Sequence, residues 1–326
     1  MEIEFVTSPD YNFLAHFSEK YNIPITGDTL TIPASLGSGS IKKIDLAPDF
    51  KLLVHDYRLK EEFIIKRRPA QSHFDLISII CHSNDELVSL STRERQIKLA
   101  KNTEFAIQIS STDLDSVIRF PANTHIYFTV VGITARKLKS LLNLKRPNSI
   151  IQTILDNKPG FLFYESISPA VQAILRQIRN ANEDNDLGLF YYQLKVQELV
   201  YLVFKKLLQR ESSRHNPISR TDMDKLLQVR TAVLADLSEP PHLQALAKLV
   251  GLSQTKMKDL FKQVFGDSIY TYYQKARMEE AAFLLRQGDY SVADVGSELG
   301  FVNLSHFSRQ FEKYQGITPK KYSSGE

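Results

Sequence analysis

The stretch SVADVGSELGFVNLSHFSRQFEKYQGITPKKY, residues 291–322, contains two short amphipathic segments joined at a glycine. Ser291 and Asn303 are residue types whose side chains accept hydrogen bonds from the first backbone N–H groups of a helix. Gly300 tolerates the left-handed backbone with which helices commonly end. A helix, a glycine-containing turn and a second helix form the plan of a DNA-binding helix-turn-helix, and also of an ordinary pair of packed helices.

The second segment has one apolar face. Phe307, Phe311 and Tyr314 recur at i, i+4 and i+7, which predicts a buried stripe. The opposite face would meet base edges if this were a recognition helix. Arg309 is the strongest candidate, because a guanidinium can donate two hydrogen bonds to guanine O6 and N7; the alternative is an ion pair with Glu312. The predicted base-contacting residues of this helix are Leu304, Ser305, Ser308 and Arg309.

The same pattern occurs once more, upstream in the chain. Gly251 lies 49 residues before Gly300, and Phe261 lies 50 residues before Phe311. The repeat predicts a first helix-turn-helix, whose inward stripe is Met257, Leu260, Phe261 and Val264 and whose predicted base-contacting residues are Gln254, Thr255, Lys258, Asp259 and Lys262. The predicted phosphate-binding residues of the two units are Lys256, Lys313, Lys320 and Lys321.

Between the two copies, residues 268–287 have the pattern of one helix that ends at Gly288. At 1.5 Å per residue such a helix spans about 30 Å. One turn of B-DNA is about 34 Å long, so the spacer could hold two recognition helices in successive major-groove faces. This geometric match favours a protein that reads double-stranded DNA over a merely helical domain.

Three segments together resemble the AraC/XylS family of bacterial transcription regulators. They are LAKLVGLSQTKMKDLFKQVFG at residues 246–266, RMEEAAFLL at 277–285 and the opening stretch. Within the family, residues 240–251 and 261–266 are similar to the branch typified by the pyochelin-responsive regulator. The resemblance implies a seven-helix DNA-binding domain, a cupin-like sensor for a small-molecule effector, a helical dimerisation segment, and action on RNA polymerase at promoters. Gly296 departs from it, since the family commonly has alanine there, and glycine would weaken that helix by up to about 1 kcal/mol if it were exposed.

The rest of the chain agrees with this plan, and an α+β protein follows. Residues 1–145 have short β-type segments, such as residues 103–109, between turn-rich pieces, such as residues 66–72, which indicates a barrel or a jelly-roll-like sandwich. The resemblance implies that this part is a cupin-like β-barrel. Residues 146–212 are predicted to be helical, and the segment near 187–210 is apolar on more than one face, as expected of a helix that packs on the barrel and on a second subunit, or one buried within a single domain. Residues 211–222 are polar and contain Pro217, so the DNA-binding domain is predicted to occupy residues 220–326.

Composition narrows the protein class. The single Cys81 excludes an internal disulfide framework, and residues 1–10 lack the basic and apolar regions of a signal peptide. The longest apolar run, residues 199–204, is too short to cross a membrane. We therefore expect a cytoplasmic, nucleoid-associated bacterial protein with no membrane partner. A net charge of +4 permits a polyanionic partner without requiring one.

Three hypotheses remain for the whole chain. The first is a ligand-responsive, homodimeric transcription factor, most simply an activator; the second is a cupin-like enzyme fused to a DNA-binding domain; the third is a constitutive DNA-binding protein whose N-terminal half only dimerises. Four histidines, His55, His73, His82 and His125, lie on or beside predicted strands, but they lack the close spacing of metal ligands. We therefore expect no metal, no cofactor and no enzymatic activity.

One basic residue of the DNA-binding half is assigned to structure. Arg277 lies inside the predicted spacer helix beside apolar neighbours, where an exposed role is disfavoured. The same position holds arginine in the resembled family. We interpret it as a structural residue paired with Asp294 or Glu298.

Overall fold

The computed structural model describes residues 1–8, 11–69, 74–82, 88–92, 95–99, 107–181, 186–210 and 216–324. His73, the first residues of the strand predicted from residue 103, and positions 211–215 of the predicted domain boundary lie outside these ranges. The chain divides into two compact units. The first unit comprises Met1–Asp222 with Val264–Gly266, and the second unit comprises Met223–Gln263 with Asp267–Glu326.

The first unit is built on two β-sheets. Its strands are β1 Glu2–Val6, β2 Ile25–Thr26, β3 Thr29–Thr31, β4 Gly37–Ala47, β5 Phe50–Leu59, β6 Phe63–Arg68, β7 Ile77–His82, β8 Val88–Thr92, β9 Arg95–Leu99, β10 Ile107–Ser110, β11 Ser116–Phe120, β12 His125–Ile133 and β13 Leu162–Glu165. One sheet has five strands in the order β1-β6-β11-β8-β9, and the other has eight in the order β13-β10-β7-β12-β5-β4-β3-β2.

As far as the described residues go, the two sheets do not form the closed cupin-like barrel that the resemblance implied. Each sheet keeps its own edges, and no backbone ladder in the described ranges joins them. The larger sheet ends in short strands, since β2 has two residues and β13 has four. Strands this short offer few backbone groups with which a further strand could close the ring. The described architecture is therefore two facing layers with an apolar interior.

Five helices accompany the sheets in the described part of the first unit. They are α1 Phe13–Tyr21, α2 Ala135–Leu142, α3 Ser149–Leu155, α4 Pro169–Asn180 and α5 Gly188–Leu208. Two elements correct the prediction. Helix α1 falls where only strands and turns were predicted; Asn12 Oδ1 accepts from the Ala15 N–H at 3.2 Å, and Phe17 is fully buried. Strand β13 falls in the segment predicted to be helical, because its residues pair with β10 at the sheet edge.

The second unit is helical, and the seven helices implied by the resemblance are present in the described residues. They are α6 Arg220–Ala235, α7 Leu243–Val250, α8 Gln254–Phe265, α9 Ile269–Gln287, α10 Val292–Glu298, α11 Leu304–Gln315 and α12 Pro319–Ser324. Helix α9 is the central element. Its residues Met278 and Leu285 share an apolar core with Val295 of α10 and Phe307 of α11. Toward the other side, Tyr272 meets the ring of Phe261 edge-on at 5.3 Å.

Among the described residues, no helix combines the length and the apolar character needed to span a bilayer.

Candidate functional site

The first helix-turn-helix consists of α7, a turn at Gly251 and α8. Gly251 adopts a left-handed backbone with φ +59°, which ends α7. The Ser253 hydroxyl accepts from the Lys256 N–H at 3.2 Å and so caps the start of α8. The predicted inward stripe of α8 is buried as expected, with Met257 and Phe261 fully so. This burial fixes which face of α8 is turned to solvent.

The second helix-turn-helix consists of α10, a turn at Gly300 and α11. Ser291 forms a capping box with Asp294, whose carboxyl pKa is lowered by the hydrogen bonds from Ser291. Asn303 Oδ1 accepts from the His306 N–H at 3.1 Å, as predicted. Gly300 has φ +70°, and a Cβ there would lie 2.0 Å from the carbonyl oxygen of Ser238. Only glycine therefore permits this turn to approach the segment that follows α6.

The predicted base-contacting residues lie on the solvent faces of α8 and α11. All of them are exposed except Ser308, which is half-buried. The four predicted phosphate-binding lysines are exposed as well. Arg309 is exposed, and among the described residues it forms no ion pair with Glu312 or another acid. The structure thus gathers both sets on outward surfaces of one unit.

Sequence reasoning missed one exposed apolar residue beside α11. Val302, in the turn before α11, has a relative exposure of 104%, and Leu304 at the helix start is 44% exposed. An apolar side chain that stays in contact with water gains no free energy of burial in the isolated protein. The only indication in the sequence that Val302 is exposed was its position directly after Phe301, which is buried.

Arg277 is structural, as predicted, but its predicted partners were wrong. Its Nε donates to the Leu299 carbonyl at 2.7 Å, and its Nη2 donates to the same oxygen. The guanidinium also lies over the ring of Phe301, with Cζ 3.6 Å from the centroid. The last carbonyls of a helix have lone pairs without an intrahelical partner and carry partial negative charge. The Leu299 carbonyl at the end of α10 therefore takes the place of the predicted carboxylate as the partner of Arg277. Arg277 therefore ties α9 to the end of α10.

Gly296, the departure from the resembled family, lies at the contact between α10 and α11. It is buried, and a Cβ on it would lie 2.8 Å from Leu304 Cδ2 and 3.4 Å from Phe307 Cδ1. The absence of a side chain at Gly296 lets α11 approach α10 closely. A departure that looked like a weakness of the helix is thus part of the helix-helix contact.

The first unit contains a cavity of about 190 Å³ between its two sheets. Its walls come from both layers, for example Ile65 and Ile118 on one side and Leu53 and Phe128 on the other. Arg67, on β6, lines it and is only 6% exposed. The sequence prediction placed Arg67 in a turn-rich piece, residues 66–72, and so missed it. The only signal was the alternation of apolar residues that precedes it in the strand.

The described histidines of the first unit do not converge on a metal-binding arrangement. No group of three or more His, Cys, Asp or Glu side chains in the described ranges is arranged to hold an ion. His55 is fully buried, and burial, together with the charge of His82, lowers its pKa to about 3. His125 Nε2 lies 2.7 Å from Asp56 Oδ1, and Arg179 Nε donates to Asp56 Oδ2 at 2.7 Å. His55 thus belongs to the buried interior, and His125 belongs to a charged cluster with Asp56 and Arg179.

Comparison with known proteins assigns a family to each part of the chain. A family model described as the helix-turn-helix domain matches residues 246–325, and the model of the regulatory protein PchR N-terminal domain matches residues 37–220. The HTH-type transcriptional regulator GbdR of Pseudomonas aeruginosa is 30% identical over 127 residues, 38% of this chain and 35% of that protein. The arabinose operon regulatory protein of Escherichia coli is 27% identical over 173 residues, 53% of this chain and 58% of that protein.

Among solved structures, one AraC-type transcriptional regulator from Chromobacterium violaceum is similar to part of this chain. It is 30% identical and has a TM-score of 0.30, covering 31% of this chain and 91% of that chain. The chain spans between about a third and somewhat more than half of the length of the two relatives described above.

Proposed function

Because the chain belongs to the AraC/XylS family of helix-turn-helix transcriptional regulators, with a PchR-like N-terminal regulatory domain, we propose that it is an effector-responsive activator that binds promoter DNA as a homodimer. Members of this family are DNA-binding regulators of transcription and not enzymes, so the fused-enzyme hypothesis is set aside. The activator would work in the bacterial cytoplasm at the nucleoid and act on RNA polymerase.

One observation carries the proposal. Two capped helices, α8 and α11, each bury one apolar stripe and turn a polar face to solvent, and both pack on the single helix α9. Helix α9 has 19 residues, which corresponds to about 28 Å. That length is close to the rise of one turn of B-DNA, about 34 Å, so α8 and α11 would read successive major-groove faces.

Helix α5 supports the proposed homodimer. Leu194, Tyr201 and Leu208 are 50%, 56% and 41% exposed, and they lie seven residues apart along the helix. Apolar residues at this heptad spacing form the seam along which two helices pair. The opposite face, with Leu199 and Val203, is buried in the core of the first unit. One face of α5 thus packs on the first unit, and the other is free to pack on a second subunit.

The cavity in the first unit favours a sensor over a unit that only dimerises. Concave sites lined mainly by apolar side chains are the usual sites of small ligands, whereas a dimerisation domain has no need of one. We propose that the two sheets form a cupin-like effector-binding domain and that the effector shifts the population of the DNA-binding form. Genomic footprints that change on addition of the effector would separate this proposal from constitutive binding.

The proposed base contact of Arg309 is tested by its replacement. Arg309→Ala should weaken binding to the selected DNA site by about 1 to 3 kcal/mol and relax the preference at one base position. Lys313→Ala is the matched control, because loss of a phosphate contact weakens all sequences alike and lowers the salt dependence. Binding is measured by mobility shift on the site and its single-base variants. An unchanged ranking of those variants by Arg309→Ala would contradict the assignment.

A further inference from the structure

We propose that the cavity between the two sheets binds a small carboxylate with an aromatic body, and that Arg67 holds the carboxylate. This inference rests on the proposed function in that the cavity is taken as the effector site. It adds the chemical class of the effector and the residue that selects it.

Arg67 lies on the buried face of β6, where the other residues are apolar. On β6, Phe63, Ile65 and Arg67 are buried and point into the layer between the sheets. The alternate residues point outward: Lys66 pairs with Glu2 at 2.7 Å, and Arg68 Nε donates to Glu4 at 2.9 Å. Successive side chains of a strand point to opposite faces. Arg67 therefore points toward the cavity, whereas Lys66 and Arg68 point outward and pair with carboxylates at the surface.

The Arg67 guanidinium has no carboxylate partner among the described residues. Its Nη1 and Nη2 each lie 3.4 Å from the hydroxyl oxygen of Ser110, and its Nε has no hydrogen-bond partner. Desolvation lowers the pKa of Arg67, while the charge of Asp115 and Asp113 acts in the opposite sense. Asp113 is already engaged, since its Oδ2 accepts from the Gly160 N–H at 2.8 Å.

A guanidinium stays protonated at neutral pH even when buried. Leaving a charge buried without a counter-ion is costly, and an anion in the cavity removes that cost. The other charged lining residues, Asp49, Lys51 and Asp75, are half-buried or exposed, so they stay in contact with water. The deeply buried charge of the cavity is thus positive, and the ligand end that meets it should be negative.

A second polar atom of the cavity wall lacks a partner. His55 Nδ1 is buried without a hydrogen bond. Its ring stacks on Phe128 with centroids 4.0 Å apart and meets Phe13 edge-on at 5.0 Å. The low pKa of His55 keeps the ring neutral, so it offers a hydrogen bond without adding charge. The wall around it is aromatic and aliphatic, which suits a ring.

The cavity volume limits the body of the ligand. A cavity of about 150 Å³ lined by apolar side chains holds benzene. The present cavity, at about 190 Å³, leaves room for a ring and a short carboxylate arm. Benzoate, phenylacetate and 3-phenylpropionate have these dimensions, and the amide of each has nearly the same shape without the charge.

The test compares each acid with its amide on the purified full-length chain, by calorimetry and by thermal unfolding. At least one acid should bind about 10- to 100-fold more tightly than its amide, as expected for a charge-assisted pair. Arg67→Met should abolish this preference without lowering the unfolding temperature of the ligand-free protein, because an apolar side chain replaces a buried charge. Arg68→Met is the matched control, since Arg68 points outward, and it should keep the preference.

Arg67→Lys is a second variant, and it tests the role of Arg67 in the acid preference if Arg67→Met does not fold. It keeps the charge but loses the planar fork, so the preference should shrink and not vanish. Equal affinity for acid and amide, or an acid preference that survives in Arg67→Met, would overturn the proposal. So would an unchanged preference in Arg67→Lys.

The same preparations are tested for selection of a DNA site from a random pool. A chain that selects a site but binds none of the three acids overturns the ligand class and leaves the regulator intact. A chain that binds an acid with the predicted preference but selects no site supports this inference and overturns the proposed function.

Discussion

Replacement of Gly296 by alanine tests how closely α10 and the reading helix α11 are coupled. Alanine in a helix interior is favoured over glycine by about 1 kcal/mol. Against this gain, the new Cβ would lie 2.8 Å from Leu304 Cδ2, which is closer than side-chain carbons normally approach. Leu304 is 44% exposed, so its side chain can rotate away, at a cost of about 0.5 to 1.5 kcal/mol for leaving a preferred rotamer. The two terms nearly cancel.

Gly296→Ala alone should therefore change the free energy of unfolding of the second unit by less than about 1 kcal/mol. In the background of Leu304→Ala the clashing carbon is absent, and the full gain of about 1 kcal/mol should appear. The difference between the two backgrounds is the coupling energy of the pair, which should be about 0.5 to 1.5 kcal/mol.

The assay is urea denaturation of wild type, both single variants and the double variant, followed by a signal assigned to the second unit. DNA-site selection by Gly296→Ala reports the functional side, since a displaced Leu304 should change the preference at the base it meets while leaving overall affinity nearly intact. Equal effects of Gly296→Ala in the two backgrounds would refute the reasoning, because a gain independent of Leu304 means that the two helices are not in the contact described.

Two further predictions concern buried groups. Arg277→Met should destabilise the second unit by about 2 to 4 kcal/mol in the same assay, because the Leu299 carbonyl loses two charge-assisted hydrogen bonds, whereas a change below about 0.5 kcal/mol would show that water replaces them. Acidification should destabilise the first unit: burial lowers the pKa of His55 to about 3 and of His82 to about 4, while both titrate near 6.5 when unfolded. The unfolded state then binds more protons, so stability falls as the pH drops below about 6.5, by about 1.4 kcal/mol per pH unit for each histidine. His55→Gln should reduce this slope by about one proton in urea titrations between pH 7 and 4.5; an unchanged slope would show that His55 does not titrate as inferred.

Most of the second unit could be predicted from the sequence, because its features are local. A cap lies within three residues of the N–H group it satisfies, and a helical stripe repeats every three or four residues, so Ser291, Asn303 and the stripe through Phe307 could be identified from order alone. The internal repeat then located α8, α11 and the helix between the two motifs. The faces turned to solvent followed from the faces that are buried.

The sequence alone thus determined the helical unit, its two helix-turn-helix motifs and the family of the chain, since those follow from spacing along the backbone. Only the tertiary structure decided the rest: the division of the strands into two sheets, the carbonyl that Arg277 binds and the leucine that explains Gly296. Above all it decided that Arg67, which looked like part of a polar turn, lies inside a cavity. The physical reason is that a strand pairs with partners distant in the chain, and this pairing determines which face of the strand is buried.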